Sequence, residues 1–465
     1  MHYVSTRGEA PRLGPSEIIL AGLASDGGLY MPESWPQITT SQMSDFAGLS
    51  YAELTAEILA PYFDPDISLA ELKDISVDVY GGFNHPQVAP LRKFEEGMWL
   101  LELFHGPTLA FKDFALQLLA RLMERLAGKL DRPLLLIGAT SGDTGAAAVH
   151  AFQNMDNIQL HMLHPEGRIS ELQRKQMTTI KAANIRNYAI RGSFDDCQAM
   201  VKRLLLDSDL AKRASLSTVN SINWGRIAAQ IPYYFYASLK VGDKGLPPAF
   251  AVPSGNFGNC FSAFAASKMG LSVQNFIVGV NDNDGLRRAF EDGQVRNDET
   301  LATLSPAMDI QHSSNFERLL LEFSGRSAEK VRAQMNELSM SGGYELDEDW
   351  LRRARERFHV TRISEDSILQ EIKHVYEASG ILIDPHTAVG TAAARLWKEE
   401  GGQAPVVCLA TAHPAKFPET IEKAIGTPPE IPHTLAGLSE LKEFVTHLDA
   451  SHEGLKNNIL QGLET

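Results

Sequence analysis

The chain has 465 residues, of which 44% are hydrophobic and 22% charged, which is enough apolar material for two or three folded domains. Its formal net charge of −15 argues against nucleic acid or an anionic membrane as the main partner, although basic groups inside a cleft can still bind an anionic substrate. The three cysteines form no CxxC pair, and no signal peptide or long apolar run is visible, so we expect a cytoplasmic protein with reduced thiols, no metal site and no membrane span.

Residues 1–95 are predicted to form a small N-terminal domain. This segment has a sequence rich in turn-forming residues around Gly27 and Gly28 and an amphipathic helical stretch near residues 51–63, but no strand–glycine–helix unit. Pro86 and Pro90 punctuate its end and indicate a linker.

From residue 96 onward, short apolar strands alternate with helical patterns. The predicted strands are 98–104, 134–137, 158–163, 185–190, 249–252, 276–280 and 406–410. This alternation predicts an α/β fold with open, twisted, mostly parallel sheets flanked by helices, in which ligands bind beyond the carboxyl ends of the strands. We divide this part into an α/β lobe over 96–240, a second α/β lobe over 241–430 and a helical extension over 431–465.

Lys112 is the first candidate catalytic residue. It follows the Gly106-Pro107 turn and begins an amphipathic pattern that predicts a helix ending at Gly128. The helix dipole and the apolar neighbours of this lysine both favour its neutral amine, the form that condenses with an aldehyde. The alternative is an ordinary surface lysine at a helix end.

Three loops that follow predicted strands carry further candidates. Residues 138–145 are small and begin a helix, which suits a carboxylate, but they lack the lysine of a P-loop and the GxGxxG of a Rossmann fold. Residues 253–259 combine glycines and asparagines at a helix start, which suits a phosphate. Residues 411–417 offer a hydroxyl, a histidine and a lysine. The first loop could also be a plain strand-to-helix turn, and in the third the threonine and histidine could be structural and the lysine simply solvated.

Two other stretches have both a functional and a structural interpretation. Residues 220–226 supply neutral donors and the guanidinium of Arg226, which suit a phosphate or carboxylate, but they equally fit a capped helix start. Asp384 and Pro385 are typical of a helix cap, and His413 is more typical of a hydrogen-bonded loop residue than of a catalyst.

One cofactor, pyridoxal phosphate, explains the set of candidates. It needs a lysine for its aldehyde, a cradle for its phosphate and a partner for its ring nitrogen. Lys112, the loop of residues 254–259 and Thr411 can supply these three, which leaves the loop of residues 140–145 for an amino-acid carboxylate.

The ordered motifs resemble those of the threonine synthase family. Residues 26–32, 104–113, 140–145, 253–259 and 411–417 all carry the resemblance, which spans roughly residues 5 to 425 and is similar to the longer branch found in bacteria and fungi. The resemblance implies the type II fold of pyridoxal phosphate enzymes, in which the cofactor lies between two α/β lobes, together with an N-terminal domain.

The resemblance also implies a reaction and a set of cofactor-binding residues. O-phospho-L-homoserine and water would give L-threonine and phosphate, the last step of threonine biosynthesis. Lys112 would hold the cofactor and move protons between substrate carbons, and Thr411 would bond the ring nitrogen. The residues expected at the cofactor phosphate are Gly255, Asn256, Phe257, Gly258 and Asn259.

The expected substrate-binding residues fall into two groups. The group expected at the carboxylate is Thr140, Ser141, Gly142, Asp143 and Thr144. The second group is Asn220, Ser221, Asn223, Arg226 and Lys416. Within it, Arg226 and Lys416 are expected at the substrate phosphate together with Arg168, and Asn223 and Ser221 could join them. Many type II enzymes have asparagine after the cofactor lysine, but Asp113 stands here, so the partner of the cofactor ring oxygen stays unassigned.

Two other functions are compatible with the sequence. A related type II phospho-lyase or dehydratase would release 2-oxobutanoate, and a non-catalytic scaffold would lack the chemistry altogether. We expect a small-molecule substrate as the only partner and either a monomer or a homodimer.

Overall fold

A computed structural model describes residues 1–241 and 245–463, except for the side chain of Asp195. The strands in this part of the chain are β1 (Tyr3–Ser5), β2 (Tyr30–Pro32), β3 (Leu91–Glu95), β4 (Met98–Glu102), β5 (Leu134–Ala139), β6 (Ile158–Pro165), β7 (Ile185–Arg191), β8 (Ser215–Ser217), β9 (Ala249–Pro253), β10 (Phe276–Val280), β11 (Gln294–Arg296), β12 (Gly343–Glu345), β13 (Phe358–Arg362), β14 (Val406–Ala410) and β15 (Thr446–Asp449).

Helices cover both faces of the sheets and make up most of the N-terminal region. They are α1 (Pro15–Leu20), α2 (Thr40–Phe46), α3 (Tyr51–Phe63), α4 (Leu69–Gly81), α5 (Lys112–Ala127), α6 (Asp143–Phe152), α7 (Glu171–Thr178), α8 (Phe194–Leu205), α9 (Ser208–Arg213), α10 (Trp224–Ala228), α11 (Ile231–Val241), α12 (Gly258–Lys268), α13 (Gly285–Glu291), α14 (Phe316–Phe323), α15 (Ala328–Ser341), α16 (Glu348–Arg355), α17 (Glu365–Ser379), α18 (Pro385–Glu399), α19 (Pro418–Ile425) and α20 (His452–Leu463). No helix among the described residues is both long and apolar enough to cross a membrane.

The N-terminal region combines the antiparallel pair β1–β2 with helices α1 to α4. Helix α3 begins at a capping box, in which Ser50 and Glu53 satisfy backbone amides that have no partner inside the helix. Its apolar face, which includes Ile58 and Tyr62, is fully buried. Burial of this face of α3 therefore attaches the N-terminal region to the rest of the molecule through the hydrophobic effect.

Two separate sheets form the α/β part of the chain. The first has the order β15-β7-β6-β5-β8 and is parallel throughout. The second has the order β13-β10-β9-β14-β4-β3 and is parallel except for the edge pair β3–β4. Strand β5 is buried over its whole length, as expected for a parallel strand covered by helices on both faces. The prediction of two open, mostly parallel sheets is confirmed.

Sheet membership crosses the boundaries that we assign to the segments. Strand β4, which lies in the segment 96–240, pairs with β14 and so belongs to the second sheet. The segment 431–465 is not purely helical, because β15 pairs with β7 and covers what would otherwise be an open sheet edge. The division into the segments 1–95, 96–240, 241–430 and 431–465 therefore stays a prediction about domains.

Candidate active site

The loops after β5, β9 and β14, together with the loop before α5, line one cavity. Most of the residues predicted for the site line it, and they come from both sheets: Lys112, Thr140, Ser141, Asp143, Thr144, Asn220, Ser221, Arg226, Gly255, Asn256, Phe257, Gly258, Asn259 and Thr411. Gly142, Asn223, Lys416 and Arg168 do not line it.

Lys112 is the first residue of α5, as the sequence predicts, and its half-buried side chain lies at the cavity wall. Burial lowers the pKa of its ammonium group to about 8; Asp143 opposes this shift, whereas Arg226 and Lys416 add to it. The ammonium nitrogen lies 5.8 Å from the centre of the Phe111 ring. The neutral form of the amine, which is the nucleophile, is therefore far more populated near physiological pH than in an ordinary lysine, although it is still the minor form.

The loop of residues 104–111, the lysine loop, is held from two sides. The backbone amide of Phe111 donates to the carbonyl of Thr411 at 2.8 Å, which ties the loop to the end of β14. The Asp113 carboxylate accepts hydrogen bonds from the Thr108 amide and hydroxyl, both at 2.8 Å. Burial raises the pKa of Asp113 to about 6, although the bonds from Thr108 oppose the shift. Asp113 thus shapes the loop.

The loop of residues 253–259, the phosphate loop, joins β9 to the start of α12. The Ser254 hydroxyl and the Asn259 side-chain amide nitrogen are buried, and neither has a hydrogen-bond partner among the described residues. A Cβ at Gly255 would lie 2.8 Å from the Met308 Cα, so only glycine fits this close approach. Unpaired buried donors beside the first amides of a helix form a site suited to an anion.

The other members of the phosphate loop are fixed by their neighbours. The Asn256 side-chain nitrogen donates to the Ser221 hydroxyl at 3.2 Å, and the Asn259 side-chain oxygen Oδ1 accepts from the Tyr234 hydroxyl at 2.6 Å. Phe257 has a left-handed backbone with φ of 59°, and its ring is buried against other aromatic rings. Phe257 can therefore offer a ligand only its backbone.

Thr411 follows β14 and is 6% exposed. Its amide donates to the Thr387 hydroxyl at 3.1 Å, and its own hydroxyl makes no hydrogen bond to any described residue. The hydroxyl can therefore bond a ligand atom without losing an existing partner.

The loop of residues 140–145, the carboxylate loop, differs because its polar groups are already paired. The Thr140 hydroxyl accepts from the amides of Gly142 and Gly145 at 2.9 and 2.8 Å. The Asp143 carboxylate accepts from the Gln173 side chain at 3.0 Å. The Gly142 position faces Gln173 at the back of the loop. The half-buried side chains of Ser141 and Thr144 remain at the cavity wall.

Residues 220–226 divide into cavity residues and structural ones. The Asn220 amide nitrogen donates to the Ala139 carbonyl at 2.9 Å, which holds this segment against the end of β5. Arg226 is 3% exposed, and its Nε has no partner among the described residues. Burial lowers the pKa of Arg226 to about 10, so it is still a cation at neutral pH. Because Arg226 lines the cavity, its positive charge can attract an anion there.

The expected contacts of Asn223 and Lys416 with substrate are not supported by their positions. Asn223 is fully buried, caps α10 and donates to the carbonyl of Ala21 at 2.9 Å, so it joins this helix to the N-terminal region. Lys416 is fully buried and forms an ion pair with Asp143 at 2.6 Å. The exposed Arg168 also lies away from the cavity wall.

The cavity also has walls that the sequence does not reveal. Residues 307, 308 and 310 form one wall; the first two belong to a short 3₁₀ helix (Pro306–Met308), and the segment carries no sequence motif. His386 lines the cavity and its Nε2 accepts from the Ala307 amide at 3.1 Å, while its Nδ1 lies 2.9 Å from the Asp384 carboxylate. The predicted helix cap at Asp384 is confirmed, and His386, two residues later, also lines the cavity. Phe194 and Gln230 complete the unpredicted lining.

Comparisons with known proteins match nearly all of the chain to three family models. Residues 2–80 match the model of the threonine synthase N terminus, residues 86–412 match that of pyridoxal-phosphate dependent enzymes, and residues 387–459 match that of the threonine synthase C-terminal region. The threonine synthase of Pseudomonas aeruginosa is 46% identical over 449 residues, which cover 96% of each chain.

Solved structures agree with this match. The structure of a pyridoxal phosphate-bound threonine synthase from Brucella melitensis has a TM-score of 0.94 and 44% identity, and the match covers 100% of both chains. Yeast threonine synthase has a TM-score of 0.92 and 35% identity, covering 100% of this chain and 99% of that one. The motifs, the two sheets and this full-length similarity show that the chain belongs to the threonine synthase family of pyridoxal phosphate-dependent enzymes.

Proposed function

We propose that the chain converts O-phospho-L-homoserine and water into L-threonine and phosphate. The observation that carries the proposal is that one cavity contains both the Lys112 amine and a loop with unpaired buried donors. An amine whose pKa is lowered to about 8 beside an anion site is the combination that a phosphorylated aldehyde cofactor requires.

The residues of the cavity fit pyridoxal phosphate. The unpaired Ser254 hydroxyl and Asn259 amide, together with the backbone at Gly255 and the start of α12, would hold its phosphate. The unbonded Thr411 hydroxyl would bond its ring nitrogen, and Lys112 would bind its aldehyde. When bound, the cofactor accepts electrons from the α-carbon of an amino acid.

The substrate would contact two further groups of residues. The amides at the start of α6, with the hydroxyls of Ser141 and Thr144, suit the α-carboxylate, because the first amides of a helix lack helical partners. The positive charge of Arg226 suits the departing phosphate, whose growing negative charge a buried cation would stabilise. Ser221 can add a hydroxyl on the same side.

Lys112 would act as the acid and base of the reaction. Its amine would take the proton from the α-carbon and return protons to the substrate, because a single flexible amine can reach several neighbouring atoms. A neutral amine is the form needed for each proton removal, and the lowered pKa of Lys112 supplies it near neutral pH.

A product assay tests the proposal against its nearest alternative. We expect the purified protein, saturated with pyridoxal phosphate, to convert O-phospho-L-homoserine into equal amounts of L-threonine and phosphate. Phosphate release accompanied by 2-oxobutanoate would favour a lyase, and no turnover would favour a non-catalytic scaffold. A monomer or homodimer in the cytoplasm remains our expectation, and sedimentation velocity would determine the assembly.

A further inference from the structure

The Asp143 and Lys416 side chains form a buried ion pair between the two halves of the site. Lys416 Nζ lies 2.6 Å from Asp143 Oδ1, and the exposed fractions of the side chains are 0% and 4%. Asp143 begins α6 after a strand of the first sheet, whereas Lys416 follows β14 of the second sheet. The pair therefore joins loops that belong to different sheets.

The same ammonium group also holds the lysine loop. Lys416 Nζ donates to the Thr108 carbonyl at 2.9 Å, and the Thr108 amide and hydroxyl donate to Asp113. Asp113 directly follows Lys112 in α5. One buried cation thus links the carboxylate loop, the lysine loop and the end of β14.

Lys416 is poorly placed to bind the phosphate of a substrate. It does not line the cavity, and two of its three possible hydrogen bonds are already made within the protein. Releasing it toward a ligand would leave the buried Asp143 carboxylate without its countercharge, which is strongly unfavourable.

We propose that Asp143 and Lys416 act as one positioning unit, in which Lys416 neutralises Asp143 and fixes it against the lysine loop, so that the charge around the Lys112 amine stays balanced. This inference rests on the proposed function of the cavity. In this proposal Lys416 positions the site through its bonds to Asp143 and Thr108 and does not itself contact the substrate.

The charges around Lys112 give the unit a measurable signature. The groups that act on the amine are Asp143 from α6, Arg226 from α10 and Lys416 after β14, while the Asp113 carboxylate on its own helix is bonded to Thr108. Asp143 raises the pKa of Lys112, and the two cations lower it. Removing Lys416 should therefore raise the titration midpoint of Lys112, and removing Asp143 should lower it.

The test measures trace acetylation of Lys112 against pH in the full-length protein freed of cofactor, with peptide mass spectrometry as the readout. We expect a midpoint near 8 for the unchanged protein. Lys416→Met should raise the midpoint by about one pH unit, and Asp143→Asn should lower it by a similar amount. Lys456→Met, which removes a lysine from the Asp207 ion pair outside the cavity, is the matched control and should leave it unchanged.

The double variant Asp143→Asn with Lys416→Met keeps the test decisive if a single variant fails to fold, because it leaves no unpaired charge. We expect a midpoint within about half a pH unit of the unchanged protein and, with cofactor added, a kcat reduced about tenfold or more because the loops are no longer joined. Single variants that shift in the same direction, or a double variant with unchanged kcat, would overturn the proposal. So would a raised KM at constant kcat, which indicates direct substrate binding. The titration midpoints do not depend on which product forms. A failure of the product assay would therefore contradict the proposed function without affecting this test.

Discussion

The phosphate loop and the carboxylate loop have the same topology but distribute their polar groups differently. Both follow a buried parallel strand and begin a helix at the cavity. In the phosphate loop, the Ser254 hydroxyl and the Asn259 amide are buried without partners. In the carboxylate loop, Thr140 and Asp143 are bonded within the protein.

The phosphate loop therefore needs a ligand to pair its polar groups, whereas the carboxylate loop pairs them within the protein. A buried donor without a partner costs free energy, so a loop that keeps two of them is suited to a ligand that pairs them. A loop whose polar groups are paired keeps its shape without a ligand and presents mainly backbone amides. Variants in the two loops should therefore fail in different ways.

The largest effect is expected for Lys112→Ala, which removes the amine that both loops face. We expect turnover to fall by about a thousandfold or more, because both the covalent attachment and the proton transfers are lost. The fold should persist, since the side chain is only half-buried. Steady-state rates and circular dichroism of the same preparation would check this, and appreciable turnover in this variant would be inconsistent with the assigned role.

A large effect is also expected for Gly255→Ala in the phosphate loop. The added Cβ would lie 2.8 Å from the Met308 Cα and 3.1 Å from the Ala307 carbonyl oxygen, and backbone atoms cannot move aside as a side chain can. Relieving an overlap of this kind costs about 1–3 kcal/mol, and it displaces the backbone that would hold the cofactor phosphate, so cofactor affinity should fall about tenfold or more. Titration with pyridoxal phosphate measures this affinity. Gly128→Ala is the control, because a Cβ there meets nothing within 4 Å, and equal affinities in the two variants would contradict the prediction.

A moderate effect is expected for Thr140→Val in the carboxylate loop. It removes the acceptor of two buried amides, those of Gly142 and Gly145, and should lower the free energy of unfolding by about 1–3 kcal/mol. The loss should appear already in the cofactor-free protein, in urea unfolding. Unchanged stability without cofactor would remove the proposed distinction between the loops.

The smallest effect is expected for Ser254→Ala, which removes a hydroxyl that has no partner among the described residues. Cofactor-free stability should not fall, whereas cofactor binding should weaken by about 1 kcal/mol, or about fivefold. The same unfolding and titration measurements apply. A variant destabilised without cofactor but with normal affinity would reverse the assignment of the two loops.

The sequence predicts the fold and the centre of the site because the signals there are local. Continuous apolar runs mark β5, β9 and β14, and the loops that follow them meet at one edge because parallel strands end together. Lys112 is placed at a helix start by the amphipathic pattern after it. These features need only neighbouring residues, and the structure confirms each of them.

The rest depends on contacts between distant segments. Asn223 and Lys416 look like ligand donors in the sequence, but their partners Ala21 and Asp143 lie far away along the chain. The wall formed by residues 307, 308 and 310 has no motif, since it contributes shape and little chemistry. Strands β13 and β15 are missed because their charged and polar residues hide short edge strands.

The most direct test of the central claim is to find which lysine carries the cofactor. The protein saturated with pyridoxal phosphate is reduced with borohydride and digested, and the tagged peptide is identified by mass spectrometry. We predict a single pyridoxyl tag on the peptide that contains Lys112, with none on Lys416. A tag on another lysine, or no tag at all, would contradict the assignment of this cavity as the cofactor site.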